Sequence, residues 1–193
     1  MLCLEGIVMN LNVFRGRDHI PRYRVVDVPV DKLQTITVAP ETSKVRPLVA
    51  GAILRGVKFD QASYNSFISL QDKLHKNLAR ERTLVSIGTH DLDTIRGPFT
   101  YEALPPKDIK FVPLNQTKEM NGEELMEFYN SNLYLSRYLP IIRDHDVYPV
   151  ILDADRNVCS LPPIINCNLS QITLDTNNVF ICLLYTSPSP RDS

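Results

Sequence analysis

Residues 83–104, TLVSIGTHDLDTIRGPFTYEAL, limit what this chain can fold into more than any other stretch. The segment opens with an apolar, β-branched run, Leu84, Val85 and Ile87, that reads as a buried strand. The pattern breaks at Gly88, and Thr89, His90, Asp91 and Asp93 are expected together on the loop that follows. Titratable groups at the end of a buried strand suit a binding or catalytic site, because a rigid element positions them. The same residues also suit a turn in which Asp91 and Asp93 bond their own backbone or cap a short helix.

At 193 residues the chain fits one domain, or one domain with an appended element. A hydrophobic fraction of 44% supplies an ordinary globular core. No apolar run approaches the roughly 18 residues of a membrane span, so a soluble chain without a membrane partner is expected. Residues 1–14 are apolar but have no basic start and carry Glu5, which excludes a secretory signal. The net charge of −1 gives no bulk pull toward RNA, so any such contact needs a local patch. Cys3, Cys159, Cys167 and Cys182 form no C-x-x-C pair, and no histidine stands at zinc-finger spacing. Scattered free thiols suit a reducing compartment, and a cytoplasmic location is expected.

Along the chain, Met1, Leu4, Ile7, Val8, Leu11 and Phe14 fall at helical spacing, with Gly16 as a stop and no N-cap. Residues 1–18 are therefore expected to end a preceding module. Residues 23–38 read as two short strands joined around Asp31–Lys32, and 46–59 as a further strand-rich stretch. Asp60 is a good N-cap for a helix over 61–82, with Tyr64, Phe67, Ile68, Leu70, Leu74 and Leu78 facing the core. Lys73, Lys76, Arg80 and Arg82 then form a basic stripe that either meets RNA phosphates or is simply solvated. Residues 109–114 suggest a strand. Residues 121–129 suggest a helix with a capping box between Asn121 and Glu124, and 131–139 a second helix ended by Pro140. Residues 148–152 and 158–161 flank the polar turn DADRN as a hairpin, which Pro162–Pro163 then stops. Residues 170–174 and 179–181 are the last expected strands. The whole is an α+β fold, with a strand-rich, mixed or antiparallel, barrel-like core and flanking helices.

Several apparent motifs fail on their own chemistry. Asp153, Asp155 and Asn157 imitate half a calcium loop, but Val158 stands where its glycine is needed and Ile164 where its glutamate is needed. Arg143-Asp144-His145-Asp146 has no partner cluster and reads as a solvated turn. No glycine-rich phosphate cradle exists, so no cofactor is expected in this chain.

The run SIGTHDLDTIRGPFTYEALPPKDIKFVPLNQTKE closely resembles the beta subunit of archaeal and eukaryotic cytosolic phenylalanyl-tRNA synthetase. LCLEG at 2–6, ETSKVRP at 41–47, LQDKLHKNLARER at 70–82 and YPVILDADRNVCSLPPIIN at 148–166 agree in the same order. The resemblance implies that 19–181 is the editing and tRNA-binding domain, which hydrolyses tyrosine mistakenly esterified to phenylalanine tRNA. Ile151 would form a wall of the tyrosine slot and Ser160 its hydroxyl donor. His90, Asp91 and Asp93 match the family's strongest motif without an assigned step. The resemblance also implies an alpha subunit partner in an alpha2-beta2 assembly that aminoacylates tRNA(Phe) with ATP and magnesium. The Arg-bearing synthetic motifs are not present in these residues, so that activity belongs to the whole enzyme.

Two stretches depart from the family. Asn166 leads into Cys167-Asn168-Leu169-Ser170 where members often carry Asn-Gly-Asp-His-Ser, and an acidic residue is expected where Cys182 stands. Residues 182–192, CLLYTSPSPRD, coincide with a translated transposase-library sequencing adaptor. Residues 182–193 are therefore expected to lie outside the native fold. The alternative to an editing hydrolase is a non-catalytic module that binds tRNA or a subunit. A truncated chain with unpaired strand edges would have neither role.

Overall fold

The apolar run at 84–87 does form a strand, but the strand continues through Gly88. In the computed structural model, which describes residues 3–22, 24, 28–30 and 33–186, it extends over Val85–Asp91. The helices are α1 (Leu4–Phe14), α2 (Gln61–Lys76) and α3 (Gly122–Asn130). The strands are β1 (Ile36–Val38), β2 (Leu48–Leu54), β3 (Val85–Asp91), β4 (Phe99–Leu104), β5 (Lys110–Phe111) and β6 (Met120–Asn121). They continue with β7 (Tyr148–Leu152), β8 (Val158–Leu161), β9 (Ile165–Asn166) and β10 (Val179–Tyr185).

This is the expected α+β class, but the strands form open sheets and, among the described residues, no closed barrel. One sheet has the order β1-β4-β7-β8-β9, a second β2-β10-β3, and β5 pairs with β6. All neighbours are antiparallel except β1 and β4. Gly88 lies opposite Cys182 in the ladder. A Cβ there would come within 2.7 Å of the Cys182 sulfur and 2.9 Å of His90 Nε2, so glycine lets two side chains approach the backbone instead of ending the strand.

Two apolar clusters hold the sheets. One packs α3 residues Leu125, Met126 and Tyr129 onto Val150, Leu152, Leu161 and Ile164. The other joins Phe99, Tyr101, Ile151, Phe180 and Leu184, with the rings of Phe99 and Phe180 stacked at 4.2 Å. Such a ring pair adds about 1 kcal/mol beyond the area it buries.

Local chemistry sets the helix ends. Asp60 caps α2 by accepting from Ser63 N at 2.7 Å, and Asp60 N donates to Ser63 Oγ at 2.9 Å. Such a cap stabilises by about 1 kcal/mol. Asn121 and Glu124 form the expected box on α3. The helix expected over 61–82 stops at Lys76, where Asn77 leaves helical geometry (φ −97°, ψ −83°), and cannot resume through Arg80, Glu81 and Arg82, which all have left-handed backbone (φ 48°, 54° and 64°). Leu78, expected in the core stripe, is exposed as a result. On α1, Gly16 (φ 67°) follows the helix as expected, and the Cys3 thiol accepts from Gly6 N as a cap that the sequence pattern did not suggest.

The remaining differences are local. Residues 131–139 do not form an α-helix; a 3-10 helix over Ser136–Ile141 takes in Pro140. The stretch 46–59 contributes the single strand β2. Pairing resumes after Pro162–Pro163 through β9, and 170–174 is irregular. The last strand is longer than expected, since Cys182–Tyr185 pair with β2 and β3 on both sides. The first strand expected within 23–38 includes residues outside those described, whereas β1 realises the second. Asp153 closes the hairpin turn by accepting from Asp155 N and Asn157 N. Among the described residues no helix is long and apolar enough to cross a membrane.

Candidate functional site

Strand β3 is the edge of its sheet, so the backbone groups facing away from β10 need partners that are not a strand. Side chains supply them. Ile87 N donates to His75 Nε2 at 2.9 Å, Ile87 O accepts from Gln71 Nε2 at 2.8 Å, and Thr89 O accepts from Asn166 Nδ2 at 3.1 Å. Gln71 and His75 come from α2 and Asn166 from β9, so polar side chains bridge this edge strand to α2 and to β9. Between them lies a cavity of about 700 Å³, within the size range of small-molecule sites.

Part of the polar lining is unsatisfied. Among the described residues seven buried side-chain nitrogen or oxygen atoms have no hydrogen-bond partner, and five belong to residues on this cavity: His75 Nδ1, Arg82 Nε, Ser86 Oγ, Tyr129 Oη and Ser160 Oγ. A buried unpaired polar group costs roughly 1–3 kcal/mol. Their concentration beside one cavity calls for a functional explanation there. Ser160 lies beside the Cys182 thiol, yet its hydroxyl has no partner of normal geometry.

His75 is fixed in one tautomer. Because a backbone N–H donates to Nε2, that nitrogen carries no proton, and the neutral ring holds its proton on Nδ1. Burial, followed by the nearby Arg82 cation, lowers its pKa to about 4. At neutral pH His75 therefore carries an uncharged N–H donor beside the cavity.

The structure separates the residues expected at the site. Ser160 and Arg82 line the cavity. Ile151 does not; it lies opposite Ser160 in the ladder but points into the Phe99–Phe180 cluster. His90 is on the strand and not on a loop, fully buried, with Nδ1 2.8 Å from Ser170 Oγ and Nε2 3.6 Å from Cys182 Sγ. This thiol–imidazole pair is not an activated nucleophile, because burial lowers the His90 pKa to about 3 and raises that of Cys182 to about 12, leaving both groups uncharged.

Asp91 and Asp93 hold the loop before β10. Asp91 Oδ2 accepts from Thr176 Oγ1 at 2.6 Å and Oδ1 from Asp93 N at 3.0 Å, while Asp93 accepts from Asn178 Nδ2 at 2.9 Å. Of the basic stripe, Lys73, Lys76 and Arg80 stay off the cavity, and only Arg82 turns into it. His75, Gln71, Ser86, Tyr129 and Asn166 escaped the sequence reading. No local spacing marks them, since they meet only through packing of distant segments.

The B3/4 domain family matches residues 46–191. The phenylalanine–tRNA ligase beta subunit of Drosophila melanogaster is 60% identical over 181 residues, covering 94% of this chain and 30% of that protein. The cytoplasmic beta subunit of Arabidopsis thaliana is 59% identical with the same coverage, and the human beta subunit 51% identical over 94% of this chain and 31% of its own length. The chain thus spans somewhat under a third of the relatives it matches. The crystal structure of an N-terminal fragment of the phenylalanyl-tRNA synthetase beta subunit from Pyrococcus horikoshii superimposes with a TM-score of 0.83 at 32% identity, covering 95% of this chain and 51% of that one.

Proposed function

The chain belongs to the phenylalanine–tRNA ligase beta-subunit family, of which it carries the B3/4 domain, and from this we propose that its cavity is an editing site that hydrolyses tyrosine wrongly esterified to phenylalanine tRNA. The observation that carries the reading is the group of five buried, unpartnered polar atoms in residues that line one cavity. An apolar pocket shaped for phenylalanine rejects an analogue bearing one more hydroxyl only weakly, by roughly a hundredfold. A site of buried polar groups does the opposite. It binds the phenol oxygen and leaves those groups unpaired when the ring has none, discriminating by roughly 10⁴ to 10⁵.

In this reading Ser160 meets the phenol oxygen, and the Nδ1–H of His75 donates to an ester oxygen as charge develops there. A water adds to the ester carbonyl, and the ribose hydroxyl of the tRNA leaves with a proton. His90, Asp91 and Asp93 act by holding the strand and loop in place and do not touch substrate. The parent beta subunit works in the cytoplasm with an alpha subunit, two copies of each, and the alpha subunit performs aminoacylation with ATP and magnesium.

The test is deacylation by the complete parent protein with its alpha subunit. Tyr-tRNA(Phe) should lose its amino acid well above the spontaneous rate while Phe-tRNA(Phe) is spared. tRNA binding with both esters left intact would instead make this domain a non-catalytic RNA-binding module.

A further inference from the structure

Local preference and tertiary structure disagree most over segment 78–82. Among the described residues five non-glycine residues have positive φ, and three of them, Arg80, Glu81 and Arg82, are consecutive. A residue with a Cβ is strained in that region, and such strain persists only where the surroundings over-determine it, characteristically at clamps and switches. The sequence LARER consists of strong helix formers, so its own preference is to carry α2 onward. Long-range contacts oppose that preference. The Arg46 guanidinium holds the carbonyls of Arg82 and Thr83. Arg82 is pinned to the carbonyls of Pro163 and Ile164 at 3.0 and 3.1 Å, with its guanidinium carbon 4.2 Å from the Tyr138 ring centroid. Leu84 N donates to Ala79 O at 3.1 Å, which folds the chain back toward β3.

We propose that residues 77–84 are a two-state latch on the cavity wall. In the closed state, which is the one the structure shows, Arg82 bridges the end of α2 to the turn between β8 and β9. In the open state α2 gains one turn, the Arg80 backbone passes from left-handed to right-handed, and Arg82 leaves Pro163 and Ile164. The chain has the length for this exchange. One helical turn advances about 5.4 Å, while residues 81–84, released from their turn, reach up to about 13 Å, so the connection to Val85 lengthens to follow the helix. Opening removes the wall between α2 and the β8–β9 turn. Closing is favoured by a ligand, because the Nε of Arg82 is buried beside the cavity without a partner. A group that accepts from it binds the closed state alone, so occupancy and closure are coupled in both directions. The latch depends on the editing reading only for the identity of what enters the cavity.

Amide hydrogen exchange of the complete enzyme without tRNA, resolved by peptide mass, tests the latch. Residues 79–84 should exchange through a local opening, at least about tenfold faster relative to unfolded-chain rates than residues 64–75 of α2. Arg80 is exposed, and Arg80→Gly both relieves a left-handed residue and penalises the added helical turn. It should slow that exchange at least about tenfold. Arg82→Met unpins the closed state and should speed it about tenfold. Ser86 lies deep in the cavity at 4% exposed, and alkylation of a Ser86→Cys enzyme by iodoacetamide at that position should slow and quicken with the same two changes. An effect of Arg80→Gly within about twofold would overturn the proposal, since the segment would then open to a disordered chain, which glycine favours about as much as the left-handed turn. Exchange of 79–84 only in step with α2 and β10 would overturn it too, because the segment would have no state of its own. Alkylation unmoved by either variant would overturn its role as a gate. An enzyme that shows the latch but never deacylates Tyr-tRNA would lose the editing reading alone.

Discussion

The Arg46 guanidinium donates to the carbonyl of Arg82, and the Arg82 guanidinium donates in turn to the carbonyls of Pro163 and Ile164. Arg46 reaches two further carbonyls, Leu184 at 3.1 Å and Thr83 at 3.2 Å, and is 1% exposed. Burial lowers its pKa to about 10, so it stays charged at neutral pH. One buried cation thus joins β10 to the left-handed segment 80–82, which aims Arg82 into the cavity wall.

Arg46→Met should therefore destabilise the fold by about 3 kcal/mol, because it leaves several carbonyls without a donor in the interior. Arg46→Lys should recover less than half of that loss, since an ammonium cannot span a planar fork of acceptors. Urea unfolding of the two variants measures both values.

Ser160→Ala should separate stability from function. The hydroxyl has no partner of normal geometry in the fold, so its removal should leave the melting temperature nearly unchanged. Deacylation of Tyr-tRNA should fall by at least about tenfold, the equivalent of one lost hydrogen bond of 1.4 kcal/mol. A parallel loss of stability and activity would count against the assignment of Ser160 to the ligand.

Asp91→Ala should act in the opposite sense, costing about 2 kcal/mol of stability through the orphaned Thr176 hydroxyl and Asp93 N–H. Thr176→Val removes the same bond from its other end. The double variant should therefore cost less than the sum of the two, and chemical denaturation of the four proteins closes the cycle.

Stability should fall on mild acidification. His75 and His90 are buried uncharged, with burial the main cause of their pKa values of about 4 and 3. Between the usual histidine value of about 6.5 and those values the unfolded chain binds protons that the folded one does not. The contribution is complete above pH 6.5 and is lost as pH falls toward 4, with a slope approaching about 2.7 kcal/mol per pH unit for two protons. His75→Asn should roughly halve that slope in thermal unfolding followed from pH 7 to 4.5.

Elements governed by neighbouring residues were legible in the chain. Asp60 caps α2 and Asn121 with Glu124 caps α3, because a cap needs only a side chain and a backbone N–H three positions on. The β7–β8 hairpin followed from two apolar runs around a polar turn. The end of α2 did not, because nothing in LARER signals three left-handed residues; Arg46, far away in sequence, holds the last of their carbonyls, that of Arg82, and the next one, that of Thr83. Gly88 looked like a strand end because a glycine normally interrupts β structure, yet here it is required by the Cys182 and His90 side chains that crowd its face.

By itself the sequence determined the α+β class, the helix caps, the hairpin and the family resemblance. Only the tertiary structure decided that the His90-Asp91-Asp93 cluster holds a loop while His75, Ser86 and Tyr129 join Ser160 on a cavity. The reason is range. A cap or a turn is stabilised within a few residues, whereas a cavity is enclosed by segments whose sequence separation carries no record of their distance in space.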